Sequence, residues 1–315
     1  MSLAPKVLAG DLRAAARLMR LCDDDFASVV EVMKAIYPHT GKSAIVGVTG
    51  NPGSGKSSLV DRMVQRYRAH SKKVGVVAID PTSPFSGGAI MGDRVRMNRH
   101  FGDEGVFIRS LATRGHLGGL SKSTAEVTRV MEAWGADPVI VETVGVGQDE
   151  VDIVKMAQTS IVVMVPGLGD EIQAIKAGLM EIADIFVVNK ADLAGADRAV
   201  ADIQYMLEMV PPAEPDAWKP RILRTVAFRD EGVDEVVRAV DEHRDWLGRT
   251  GRMEAKQRER SEVQFFDLAL SRLADRLRAT LAKDEFAGWS ERLSQRKQDP
   301  YTLLEQIADR LFKTP

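Results

Sequence analysis

The chain has 315 residues, 44% of them hydrophobic and 28% charged, with a formal net charge of −2. That length accommodates one large α/β domain with additions or two modest domains, and no apolar run reaches the roughly 20 residues a membrane span requires. The near-neutral balance without blocks of like charge argues against nucleic acid as a partner, and a single cysteine, Cys22, excludes an internal disulfide framework.

The N-terminus carries no apolar leader-like core, and its basic residues are accompanied by Asp11 and the run Asp23 to Asp25. A soluble protein of a reducing, cytoplasmic compartment is expected, with no membrane association. Residues 1–40 place Leu8, Leu12, Ala15, Leu18, Met19 and Leu21, then Phe26, Val29, Val30, Met33 and Ile36, at helical spacing. The acidic run divides this pattern, which reads as two short helices forming an N-terminal helical segment packed on the α/β domain. Pro38 to Gly41 end it.

Residues 41–250 alternate strand-like and helical runs. The strand-like ones are 44–49, 74–79, 106–111, 138–142, 160–165, 185–188 and 221–226. Continuous apolar strands separated by amphipathic helices predict a doubly wound, mostly parallel sheet covered on both faces, with ligands at the carboxyl ends of the strands. The first strand runs into Gly50-Asn51-Pro52-Gly53-Ser54-Gly55-Lys56-Ser57, the pattern G-x-x-x-x-G-K-S, and a helical run opens at Ser58. Strand, glycine-rich loop and helix in that order make a phosphate-binding loop of the P-loop NTPase class. Its backbone N–H groups line a concave anion site at a helix N-terminus, Lys56 is expected on the β- and γ-phosphates, and the Ser57 hydroxyl on Mg²⁺.

Asp80 and Glu142 end later strands and add two carboxylates, so with Ser57 the donor set is all oxygen, as Mg²⁺ prefers. Gly145 follows Glu142 closely enough to turn its N–H to a γ-phosphate. The Gly/Pro/Ser-rich stretch 81–99 is too long for a plain connector and reads as a nucleotide-sensing loop, with Asp93 a candidate metal contact. After the strand at 160–165, Gly167 and Gly169 precede Asp170, Gln173 and Lys176, which recur every three residues along one side of a helix start. That is the pattern of a switching or partner-facing segment.

Asn189-Lys190-Ala191-Asp192 follows the strand at 185–188 and forms the pattern N-K-x-D. The Asp192 carboxylate accepts from the ring N1–H and exocyclic amino group of guanine, a pair adenine lacks, so discrimination is large. Asn189 is expected to brace the loop, the Lys190 stem to lie on the base, and Val226-Ala227 to present the Ala227 N–H to the guanine O6. Residues 251–315 lack strand-like runs. Val263, Phe266, Leu270, Leu273 and Leu277 form a near-heptad seam on a long helix that predicts burial on a second copy, and a last helix starts at Asp299-Pro300.

Asp80 through Ile90, Gly92-Asp93-Arg94, Glu142 through Gln148 and Glu181 through Asp192 resemble the methylmalonyl-CoA mutase-associated GTPases (MeaB, also called ArgK, with a human member, MMAA) along essentially the whole chain. The resemblance implies a homodimeric GTPase with a C-terminal helical dimerisation arm. The implied role is that of chaperone of an adenosylcobalamin-dependent acyl-CoA mutase, gating cofactor loading and protecting and reactivating the mutase by removing damaged cofactor, with no need to hold cobalamin itself and with the mutase's adenosyltransferase as a further candidate partner. By position, Lys56, Ser57, Asp80, Asp93 and Glu142 carry phosphate, magnesium and hydrolysis roles. Asp170, Gln173 and Lys176 fall in the switch that answers to the mutase. The nucleotides are GTP and GDP, and Gln148 is a candidate for positioning water. A metal-insertion GTPase is a rival reading, weakened by the absence of Cys/His ligand spacing. An ATP-using transport-associated ATPase or kinase is another, opposed by the N-K-x-D stretch.

Overall fold

The computed structural model describes residues 3–80, 97–100, 102–112, 123–143, 153, 156–167, 182–209, 216–280 and 283–312. Among these residues, seven strands form one sheet: β1 (Ile45–Thr49), β2 (Val74–Asp80), β3 (Val106–Ala112), β4 (Val139–Thr143), β5 (Thr159–Met164), β6 (Ile185–Asn189) and β7 (Arg221–Thr225). Each lies within a residue or two of an expected run. Their order is β3-β2-β4-β1-β5-β6-β7, and every pairing is parallel. From β1 the chain moves first toward one edge and then, from β5 on, toward the other, so the carboxyl end of β1 lies at the topological switch point.

Burial on both faces explains the unbroken apolar strands. Ile45, Val77, Ile79, Val139 and Val141 point into one core, and Val46, Val48, Val74, Val76 and Ile140 into the other. The first core is covered by α1 (Leu3–Leu8), α2 (Leu12–Asp24), α3 (Val30–Ile36) and α5 (Thr124–Trp134) through Leu18, Met19, Met131 and Trp134. The second is covered by α4 (Lys56–Ala69) and α7 (Val233–Arg249) through Leu59, Met63, Val236 and Val240. On β5 and β6, Val162, Phe186 and Val188 pack against Ile203 of α6 (Ala196–Met209).

The N-terminal segment holds three α-helices where the periodicity suggested two. The apolar spacing continues through Ala9-Gly10-Asp11, but Asp11 Oδ1 accepts from Ala14 N at 2.9 Å and so starts a new helix. A helix cap interrupts the backbone without disturbing the hydrophobic pattern, which is why periodicity alone passes over it.

Residues 1–260 form one compact unit and residues 261–315 a second. The helix α8 (Arg252–Thr280) is followed by α9 (Lys283–Ser294) and α10 (Pro300–Phe312), the last capped by Asp299, whose Oδ1 accepts from Thr302 N at 2.8 Å. Along α8 the apolar residues Phe265, Phe266, Leu270 and Leu273 are exposed. No helix among the described residues is long and apolar enough to cross a membrane.

Candidate functional site

The glycine-rich loop leaves the carboxyl end of β1 and enters α4. Its backbone requires glycine at two places: Gly50, at φ 131°, where a side chain would strike the Val163 backbone, and Gly55, at φ 90°, where it would strike the Asn189 carboxamide. Lys56 is buried and folds over the loop, its Nζ donating to Gly50 O at 2.6 Å and Asn51 O at 2.9 Å. A cation held among carbonyl oxygens at a helix N-terminus is arranged to receive phosphate oxygens in their place.

Strand register sets the acidic side of the site. Val48 lies level with Glu142, and Ile79 with Thr143, so Asp80 and Glu142 end neighbouring strands beside the first turn of α4. Both carboxylates are about 3% exposed. Ser57 Oγ donates to Glu142 Oε1 at 2.6 Å, and Thr143 Oγ1 meets Thr49 Oγ1 at 3.0 Å. A hydroxyl and two carboxylates buried at one rim, with only oxygen donors, suit a small hard cation such as Mg²⁺.

The base-side loops are tied to the phosphate loop through Asn189. Its Nδ2 donates to Ser54 O at 2.7 Å, and its Oδ1 accepts from Thr225 Oγ1 at 3.0 Å and Ala227 N at 3.1 Å. Register explains the reach, since Asn189 and Thr225 are paired across β6 and β7. Lys190 sits at φ 57° with its Nζ on Gly53 O at 2.8 Å, and Asp192 Oδ2 lies 3.3 Å from Arg229 Nη2. A concavity of about 200 Å³ is lined by Ala191, Asp192, Arg224, Thr225 and Val226.

Gly50 to Ser58, Asp80, Glu142, Asn189, Lys190, Asp192, Val226 and Ala227 thus all lie at or just beyond strand carboxyl ends. The Ala227 N–H, expected to face a base, is donated instead to Asn189, and Ala227 begins a short turn after β7 rather than ending the strand. Val226 N–H goes to Glu231 O at 3.0 Å. Asp93, Gly145, Gln148, Asp170, Gln173 and Lys176 lie outside the described residues.

Two residues here escaped sequence reasoning. Arg62, on α4, pins the turn after β7 by donating to Ala227 O at 3.2 Å and Phe228 O at 3.1 Å. Arg229 holds Asp192. Neither belongs to a motif, and an arginine bound to distant carbonyls, as Arg62 is, or to a distant carboxylate, as Arg229 is, has no sequence signature. A third group lies at the opposite rim, where His243 is fully buried between Thr159 Oγ1, 2.8 Å from Nδ1, and Asp184 Oδ1, 3.3 Å from Nε2. Burial pushes its imidazole down to about 3, with nearby Lys256 adding to the effect, and burial pushes the Asp184 carboxyl up. His243 occupies the buried stripe of α7 with Val236, Val240 and Leu247, so it is a structural residue.

Comparison with known proteins agrees with this architecture. A family model described as methylmalonyl Co-A mutase-associated GTPase MeaB matches residues 15–282. A Pyrococcus abyssi relative is 48% identical over 95% of this chain and 92% of its own length. The Escherichia coli GTPase ArgK is 39% identical, covering 73% of this chain and 70% of its own. Among solved structures, one titled as an LAO/AO transport system kinase superposes with a TM-score of 0.70 at 25% identity, covering 98% of this chain and 96% of that one.

Proposed function

Because the chain belongs to the methylmalonyl-CoA mutase-associated GTPase family, we propose that it hydrolyses GTP to GDP and phosphate in a Mg²⁺-dependent reaction. We assign it the role of chaperone to an adenosylcobalamin-dependent acyl-CoA mutase. The observation that carries the nucleotide reading is the Asn189 carboxamide, which joins Ser54 of the phosphate loop to Thr225 and Ala227 of the base loop. One buried side chain makes phosphate and base recognition a single rigid rim.

In this reading Lys56 exchanges the carbonyls of Gly50 and Asn51 for the β- and γ-phosphates, and Asp192 exchanges Arg229 for the guanine N1–H and amino group. Ser57, Asp80 and Glu142 hold Mg²⁺, with Asp93 a further candidate. When bound, the ion neutralises charge building on the phosphate oxygens. Water attacks the γ-phosphorus in line, and because the transition state is loose, positioning and charge neutralisation by Lys56 and the loop N–H groups do most of the work. Gly145 and Gln148 are assigned to γ-phosphate sensing and water positioning, and Asp170, Gln173 and Lys176 to a segment that answers to the mutase.

The exposed apolar row on α8 supports a homodimer, since such a face is stabilised by a second copy. The kinase title of the structural neighbour belongs to that protein. Here the N-K-x-D loop favours guanine over adenine. Calorimetry with GTP, GDP and ATP, with and without Mg²⁺, tests the nucleotide assignment, and ATP bound as tightly as GTP would overturn it. Co-purification with candidate cobalamin-dependent mutases, with and without a non-hydrolysable GTP analogue, tests the client. Nucleotide-independent failure to capture any of them would remove the chaperone role.

A further inference from the structure

A cleft of about 740 Å³ opens at the amino ends of the strands, on the rim opposite the phosphate loop. Its walls come from Gly41 and Lys42 just before β1, Gln158 just before β5, Trp218 and Arg221 at the entry to β7, and the last turns of α7. Strands of five to six residues separate it from the nucleotide rim by roughly 17–20 Å. Its volume falls within the range of small-molecule sites, roughly 300–1,000 Å³.

Among the described residues Trp218 is the one aromatic side chain lining the cleft; the Arg221 guanidinium lies 5.9 Å from its ring centroid, and packing behind it fixes the indole in place. The Trp218 ring centroid lies 4.7 Å from that of His243, and His243 stacks on Trp246 at 5.5 Å with 17° between planes. Both indole N–H groups are satisfied by backbone, Trp218 Nε1 by Asp184 O at 2.8 Å and Trp246 Nε1 by Asp216 O at 3.1 Å. An aromatic surface held this way needs no ordering when a ligand arrives, which removes part of the cost of binding.

The charge on the walls is only partly compensated. Arg221 pairs with Glu242 at 3.0 Å, and Arg244 pairs with Asp137 at 3.2 Å while donating to Lys42 O at 2.9 Å. Among the described residues, Lys42 and Arg249 have neither an ion-pair nor a side-chain hydrogen-bond partner, and Asp245 is the one lining carboxylate in the same position. A concave surface with a rigid indole and surplus positive charge selects ligands that combine a flat ring with an anionic group.

We propose that this cleft is a second ligand site, separate from the nucleotide rim, for a small aromatic anion whose ring packs against Trp218 and whose anionic group pairs with Lys42 and Arg249. The phosphate of a nucleotide and the carboxylate of an aryl acid share that chemistry. The site stands on its own geometry and does not depend on the GTPase assignment.

The test uses the full chain with Mg²⁺ and one equivalent of GDP, which fills the nucleotide rim and leaves no excess nucleotide to compete for the cleft. The aryl sulfonate 8-anilinonaphthalene-1-sulfonate is titrated, with energy transfer from tryptophan as the readout. One saturable site per chain is expected, weakened by about tenfold or more in a Lys42→Glu, Arg249→Glu double variant, since loss of charge-assisted contacts is worth at least that factor. Trp218→Leu should weaken it as well, and Lys42→Ala with Arg249→Ala serves if charge reversal disturbs the fold. GTP hydrolysis is expected to stay unchanged in all charge variants. Displacement by AMP assigns the phosphate form, and displacement by salicylate the carboxylate form. Equal probe affinity in wild type and a folded double variant would overturn the proposal, placing the probe on other apolar surface such as Phe265 and Phe266. Absence of a saturable site would overturn it too.

Discussion

Ser57 Oγ donates to Glu142 Oε1 at 2.6 Å, joining the first turn of α4 to the end of β4 across the switch point of the sheet. Two oxygens proposed to hold one cation hold each other instead, so their separation is already that of a hydrogen bond. Ser57→Ala and Glu142→Gln should each lower kcat/KM for GTP by about 10²-fold, the usual scale for losing one charge-stabilising contact at a reacting phosphate. GDP affinity without Mg²⁺ should stay close to wild type. Steady-state assays across a magnesium titration check this, and a variant with undiminished Mg²⁺ response would remove that residue from the ion's shell.

Asp192 meets Arg229 at 3.3 Å beside the base loop. Asp192→Asn replaces an acceptor pair by a mixed donor and acceptor, which mismatches guanine and matches xanthine, whose position 2 carries a carbonyl. GTP affinity should fall by about 10²-fold or more, as for other sites that leave polar ligand groups unpaired. XTP affinity should rise. Competition binding with the two nucleotides reads the exchange directly.

Asn189 is about 3% exposed and satisfies three groups at once. In Asn189→Ala the Ser54 carbonyl, the Thr225 hydroxyl and the Ala227 N–H lose their partner together. At about 1–3 kcal/mol for each buried group left unpaired, partly relieved by water, a loss of roughly 2–4 kcal/mol is expected. Urea unfolding without nucleotide measures it. A change below about 1 kcal/mol would mean that the loops do not depend on this side chain.

His243 links stability to pH. Below its ordinary value near 6.5 the unfolded chain takes up a proton that the folded chain refuses until about 3. Stability therefore falls as pH drops through that window, by up to about 1.4 kcal/mol per pH unit. Asp184, pushed up by burial, binds its proton more readily when folded and offsets part of the loss at the acidic end. His243→Gln should flatten the slope of unfolding free energy between pH 7.5 and 5.5, and an unchanged slope would assign the acid sensitivity elsewhere.

Phe266 is 63% exposed and Leu270 is 64% exposed on α8. If this face is covered by a second copy, Phe266→Glu with Leu270→Glu should convert a dimer to a monomer in sedimentation velocity while leaving nucleotide affinity unchanged. A wild-type chain that sediments as a monomer would overturn the dimer.

Motif chemistry was legible because it is local. G-x-x-x-x-G-K-S and N-K-x-D specify their backbone and donors within a few residues, and the apolar runs mark the strands most plainly in β1, β2, β4, β5 and β6, which are buried throughout, while the edge strands β3 and β7 are only partly covered. The extra break at Asp11 was hidden because a helix cap leaves the apolar spacing intact, and the hold of Asn189 on the Ala227 N–H was hidden because it crosses from the end of β6 to the turn after β7.

By itself, then, the amino-acid order determined the strands, the phosphate loop, the acidic strand ends and the N-K-x-D loop, since each depends on residues close together in the chain. Only the tertiary structure decided that Ser57 reaches Glu142, that Asn189 clamps Ser54 to Ala227, that Arg62 and Arg229 brace the loops after β6 and β7, and that Trp218 packs at a tilt on the stacked pair His243 and Trp246 at the far rim. Those contacts arise from placing β1 between β4 and β5 and β6 beside β7. Strand order of that kind is set by how the whole apolar surface is buried, which no short stretch of residues encodes.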